Sequence, residues 1–315
     1  MESIPNLFIF LLFISLSFPY LVSAASAPLI PKEALPTQSG YLPISSKSNS
    51  SMFYTFYEAQ QPIVPLSQTP LLFWLQGGPG CSNSIGNFFE LGPWRVSPSS
   101  ENVEIPILKP NPGPWNHLFG VVFPDNPIGV GFSIASTPEE IPRDQKTVAK
   151  HFFCALVSFM KLNPSFRSRP IYITGESYAG KYVPAVGYYI LQKNSRLPVS
   201  RQVNFGGVAI GNGLTDSVSQ NMTGLATLYD LRRKTGYETD LVDKFLNIEE
   251  VQKGLGVGKK TLWEDCSEVV GIALHEDVMK SVKFMVEELV KKTRVLLYQG
   301  QFDLRDGGRL PPRHG

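Results

Sequence analysis

Ser177 stands in the run Gly175-Glu176-Ser177-Tyr178-Ala179-Gly180, after a strand-like stretch, Pro170 to Thr174, and before a segment that can be helical, Tyr178 to Asn194. A serine at a sharp strand-to-helix bend is a presented nucleophile. Its small neighbours let the backbone turn tightly and lift the hydroxyl clear. The chemistry on offer is attack on an acyl carbon, with a covalent intermediate. Such a step needs two backbone N–H groups aimed at the developing oxyanion. One is expected from Tyr178 and the other from the loop Gln76-Gly77-Gly78-Pro79-Gly80, with Gly78 as its donor. An acid that orients a histidine belongs past a later strand, and Asp303, just after Val295 to Tyr298, meets that requirement. No metal and no cofactor is expected.

The general base is harder to place. The histidines are His117, His151, His275 and His314. The working chain order for this chemistry is serine, acid, histidine, and the first three precede Asp303. His117 reads as structural, His151 opens an apolar helical face, and His275 begins a charged helix. His314 follows Asp303, and an extended segment of that length spans roughly 35 Å. A Pro-Pro tail is a poor support for a base that must be held within hydrogen-bond reach, so His314 is not expected to be catalytic.

The elements that must position these groups alternate. Met52 to Tyr57 is aromatic and strand-like, and Leu71 to Leu75 is a short apolar run suited to a central strand. Val121 to Phe123 and Val203 to Ile210 are further strands. Asp144 to Leu162 and Glu276 to Lys292 carry apolar residues at helical spacing, the second with Val278, Val282, Met285 and Leu289 on one face. Strands alternating with helices predict an α/β fold with a mostly parallel sheet covered on both faces. Residues 28 to 50 read as a surface lead-in.

The chain has 315 residues, is 43% hydrophobic and 18% charged, and carries a net charge of +2. It is expected to be globular, and that charge gives no reason to expect a nucleic-acid or membrane-surface partner. Residues 1–24 read as a secretory signal peptide: Leu7 to Val22 is almost wholly apolar and Val22-Ser23-Ala24 offers a cleavage site. No membrane association is expected after its removal. Asn49-Ser50-Ser51 and Asn221-Met222-Thr223 are N-glycosylation sequons, which suit a secreted chain. Three cysteines suggest one bridge and one free thiol. Cys154 lies in an apolar helical stretch and reads as a buried thiol, which leaves Cys81 and Cys266 as the candidate pair. The catalytic domain is expected over 25–306, with an irregular tail at 307–315.

Taken together, the segments Gly40 to Leu42, Trp74 to Ser82, Phe89 to Pro93, Asp125 to Ser133, Gly175 to Gly180 and Gly211-Asn212-Gly213, with Asp303, resemble the serine carboxypeptidases, peptidases of the α/β-hydrolase fold. Gln76 before the double glycine is similar to the plant serine carboxypeptidase-like and vitellogenic-like branch. The resemblance implies release of C-terminal residues from peptides through an acyl-enzyme. It implies that Gln76, Glu90 and Glu176, with Trp74 beside them, grip the substrate's terminal carboxylate, which requires a protonated glutamate and favours acidic pH. The partner is then a peptide or protein with a free C-terminus, in the secretory pathway, outside the cell or in a vacuole. The resemblance also supports the Cys81–Cys266 bridge. Relative to the family, the segment after Asp216 is short, reducing the lid, and a late Gly-His pair is absent, so the chain reads as shortened at its C-terminal end. Two alternatives follow: an acyltransferase of the same type, which Glu176 before the serine disfavours, and a non-catalytic homologue.

Overall fold

The computed structural model describes residues 29–220 and 239–300. Nine strands are assigned there: β1 Gln38–Pro43, β2 Ser51–Tyr57, β3 Leu71–Leu75, β4 Trp94–Pro98, β5 Pro106–Pro110, β6 Gly120–Pro124, β7 Ile171–Glu176, β8 Phe205–Gly211 and β9 Arg294–Tyr298. The longer helices are α1 Gln145–Leu162 and α2 Ala179–Asn194, followed by α3 Asp240–Leu246, α4 Glu249–Gly254, α5 Glu268–Ala273 and α6 Lys283–Val290.

Seven strands form one sheet in the order β1-β2-β6-β3-β7-β8-β9, and β4 and β5 form a separate hairpin. The first two pairings are antiparallel; from β6 to β9 every pairing is parallel. Strand β3 holds the middle position and is buried along its whole length, as the run Leu-Leu-Phe-Trp-Leu requires. The parallel register sets Leu75 beside Gly175 and Gly211 beside both Glu176 and Tyr298. The ends of β3, β7, β8 and β9 therefore meet along one rim of the sheet.

Aromatic edges lock α1 onto the sheet. Phe159 meets Tyr54 at 5.5 Å and Phe73 at 5.6 Å, and Phe152 meets Phe73 at 5.8 Å, all near-perpendicular. Asp144 caps α1 by accepting from Thr147 N at 2.8 Å. At the opposite rim Arg169 is buried and paired in bidentate fashion with Glu58, at 2.7 and 2.8 Å, while its Nε donates to Thr69 O at 2.7 Å.

Three expectations need correction. Residues 28–50 are more than a lead-in, because they contain β1, whose Leu42 is buried with Ile44 just beyond it. The helix expected over 276–292 is shortened to α6, preceded by a single turn at His275–Asp277. Its missing turns are explained by tertiary bonds: Ser217 Oγ donates to Val278 O at 2.5 Å, Lys181 Nζ donates to Lys280 O, and Val282 N donates to Thr215 O at 3.0 Å. Backbone groups taken in this way do not continue a helix. The apolar face survives the break, since Val282 and Leu289 are buried and Val278 and Met285 pack against the core. Cys154 is only half-buried, at the margin of that core, and burial still raises its thiol pKa.

Candidate active site

Ser177 adopts φ +57°, the left-handed region that a side chain with a Cβ rarely enters. The strained bend is held from both sides. Ser177 N donates to Gly211 O at 3.2 Å, and Ser177 O accepts from Gly180 N at 2.9 Å and Leu214 N at 2.8 Å. Glycine is required on each flank. A Cβ on Gly175 would lie 2.4 Å from Leu75 O, and one on Gly77 would lie 2.9 Å from both Ser177 Cβ and Tyr178 N. The double-glycine loop after β3 thus runs in contact with the bend after β7. The two segments singled out in the sequence are neighbours because β3 and β7 are.

The second set of expected residues also converges. Gln76 is its hub: Trp74 Nε1 donates to Gln76 Oε1 at 2.9 Å, and Gln76 Nε2 donates to Glu176 Oε1 at 2.8 Å and Glu90 Oε1 at 3.3 Å. Burial first, and then the charge of Glu176, push the Glu90 carboxyl up to about 8. Glu90 Oε2 is buried with no hydrogen-bond donor among the described residues. Protonation resolves that, because the acid O–H has the Glu176 carboxylate beside it as acceptor. The backbone of Glu90 is fixed independently: its carbonyl accepts from Arg95 Nη2 at 2.6 Å and Asn111 Nδ2 at 3.0 Å.

Several participants had no role assigned from the sequence. Asn83 Oδ1 accepts from Gln76 N at 2.6 Å while its Nδ2 donates to Trp74 O at 2.5 Å, tying the loop to the end of β3. Asp125 is fully buried and accepts from Ser82 Oγ at 2.6 Å, Asn83 N at 2.9 Å and Phe132 N at 2.9 Å. Its burial outweighs these bonds and pushes its pKa up to about 6. Tyr298, at the end of β9, faces the carboxylates. Its phenol is pushed up to about 12, by burial and then by the charges of Glu176 and Glu90. A buried aspartate and a strand-terminal tyrosine have many uses, and the partners that define these two lie far away in the chain.

Cys81 and Cys266 are joined by a disulfide. Asn49 is exposed between β1 and β2. Asp303, His314, Asn221 and the expected signal peptide lie outside the described residues. Three histidines lie among the described residues. His117 precedes β6 at the rim opposite Ser177, where its carbonyl accepts from Gln61 N, and its side chain is exposed. His151 lines a cavity of about 450 Å³ with Ile44, Glu139 and Arg143. His275 is exposed in the turn after α5.

A serine on a left-handed bend between a parallel strand and a helix, with a double-glycine loop against it, defines an α/β-hydrolase. The serine carboxypeptidase family model matches residues 28–232 and 227–307, and the chain belongs to that family of enzymes. Serine carboxypeptidase-like 50 of Arabidopsis thaliana is 49% identical across 98% of this chain and 79% of its own length. The probable serine carboxypeptidase CPVL of Homo sapiens is 29% identical across 87% of this chain and 68% of its own. In the solved structures the fold matches Kex1(delta)p, a prohormone-processing carboxypeptidase from Saccharomyces cerevisiae, with TM-score 0.71 at 22% identity. The match covers 90% of this chain and 77% of that one.

Proposed function

We propose that this chain recognises peptides by their free C-terminus and that Ser177 attacks the last peptide carbonyl, as in a serine-type carboxypeptidase. Trp74, Gln76, Glu90 and Glu176 hold the terminal carboxylate, with protonated Glu90 as a donor. The N–H groups of Gly78 and Tyr178 receive the oxyanion, and water then releases the shortened peptide. Asp303 is the orienting acid, reached a few residues past β9. The observation that carries this reading is the Gln76 amide bridging Glu90 and Glu176 immediately beside the Ser177 bend. A secretory route with a glycan on Asn49 and on Asn221 goes with it. The exposed position of Asn49 supports the first of these.

The chain order, in which His117, His151 and His275 all precede Asp303, favours a second reading, in which the chain binds such peptides with little turnover. Loss of a triad member leaves only the residual rate that binding and the oxyanion hole supply. Calorimetry with a peptide carrying a free carboxylate, against its C-terminal amide, tests the recognition step. Selectivity for the free acid is expected, and equal affinity would end the proposal. Labelling by a serine-directed phosphonate, lost in Ser177→Ala, then separates the readings. Weak or absent labelling is expected for this chain, and rapid labelling would establish that a base operates. A labelled acyl donor offered water and alcohol together reports whether acyl transfer competes with hydrolysis.

A further inference from the structure

Tyr178 carries a buried phenol that the proposed reaction does not use. It sits at the start of α2, one residue past the nucleophile, and is buried to within 2% of its surface. Its hydroxyl donates to Asp277 Oδ2 at 3.1 Å. Gln145, the first residue of α1, donates through Nε2 to the same Asp277 oxygen at 2.6 Å and to the phenol oxygen at 3.3 Å. Asp277 is itself buried, and its other oxygen faces Lys280 Nζ at 3.7 Å. Burial and the neighbouring Tyr182 and Asp277 push the phenol above its ordinary range, so it remains a donor. Tyr182 packs edge-on against the Tyr178 ring at 5.1 Å.

The segment that supplies Asp277 also grips the double-glycine loop. Ser267 N donates to Gly80 O at 2.8 Å, Ser82 N donates to Asp265 O at 2.8 Å, and the Cys81–Cys266 disulfide lies between these bonds. One stretch, residues 265–282, thus holds the Gly78 loop at one end and the Tyr178 side chain at the other.

We propose that Asp277, with Gln145, is a positioning residue of the oxyanion hole: by fixing the Tyr178 ring it sets the Tyr178 N–H against the Gly78 loop. This rests on the reading of Tyr178 N–H as an oxyanion donor. A ring pinned at its hydroxyl and along its edge leaves its Cα little freedom to rotate. The bonds at Ser177 O remove much of the rest. An oxyanion hole works through donors already in place when charge develops, so a loosened ring should weaken tetrahedral-anion binding and spare ground-state binding.

The test compares two ligands by calorimetry in a Ser177→Ala background, where neither reacts. One is a peptide with a free C-terminal carboxylate. The other is its analogue with a phosphinate in place of the last amide. The parent is expected to prefer the phosphinate by about tenfold or more. Asp277→Ala and Tyr178→Phe are each expected to cut that preference about fivefold while leaving amide-peptide affinity within about twofold. Asp277→Asn, whose Oδ1 still accepts both bonds, is expected to restore most of it. Tyr178→Phe carries the test alone if Asp277→Ala does not fold. An undiminished preference in Tyr178→Phe overturns the proposal. A parent with no preference overturns the oxyanion reading itself, and the positioning role falls with it.

Discussion

Gly77 has almost no room to change at this site. Its position is set by Ser177 Cβ and Tyr178 N, both 2.9 Å from where a side chain would begin. Those neighbours are backbone or nearly so, and neither can swing away. Gly77→Ala must therefore push the loop off the bend. We expect it to cost roughly 1–3 kcal/mol of stability and to lower phosphinate-peptide affinity by about tenfold, measured by urea unfolding and calorimetry. Unchanged phosphinate affinity would mean that the loop tolerates displacement and that its donor is not where the proposal puts it. The same loop explains why Asn83 and Asp125 are buried polar residues with nearly full sets of partners. They bond the loop into the protein without any contribution from its own missing side chains.

At the scale of elements, two fastenings hold the sheet and its rim. Arg169 bridges the start of β7 to the end of β2 through Glu58, and the pair is one-sided in exposure, with side-chain exposures of 1% and 24%. Arg169→Ala would leave a part-buried carboxylate without its cation and open a cavity. Discounted for the partial exposure of Glu58, the expected loss is roughly 2–3 kcal/mol, read as a lower urea midpoint. The second fastening is the disulfide, whose cysteines are 185 residues apart in the chain. Cys81→Ser with Cys266→Ser is expected to lower stability by a few kcal/mol and to reduce the phosphinate preference, since the same segment carries Asp277. A stability loss with the preference intact would restrict the bridge to a structural role.

The whole molecule should be an acid-favouring protein. Glu90 and Asp125 have native pKa values raised above their ordinary 4.5 and 3.8. From about pH 4 upward the unfolded chain releases protons that the native state keeps at these two sites. The unfolding free energy therefore falls as pH rises, through the native value near 6 for Asp125 and near 8 for Glu90. We expect urea-unfolding stability to decline by a few kcal/mol between pH 5 and pH 8. Glu90→Gln should flatten the part above pH 6. A stability that rises over that interval would show that Glu90 is ionised in the native protein, and the carboxylate-gripping role would lose its donor.

Much of this was legible in the residues. The Gly175 to Gly180 bend, the Gln76 to Gly80 loop and the helix from Asp144 to Leu162 are local signals, written in glycine spacing and apolar periodicity. The resemblance marked Trp74, Gln76, Glu90 and Glu176 as a group. Others were not legible. The edge strand β1 carries Gly40 in its middle and Pro43 at its end, residues that weaken a strand signal. The helix expected over 276–292 obeyed its own periodicity until Ser217, Lys181 and Thr215 claimed its backbone. Asn111, Tyr298, Gln145 and Asp277 belong to the site only through partners about twenty to more than a hundred residues away.

By itself, the chain's order of residues determined which serine is bent into view and which loop is bare enough to lie against it, because turns and strands are decided within a few residues. Tertiary structure alone decided that the Glu90 carboxyl is pushed toward its protonated form, that Tyr178 is pinned by Asp277 and that Gln76 bridges Glu90 and Glu176. Burial, charge and distance are properties of neighbours in space, and the sheet chooses those neighbours.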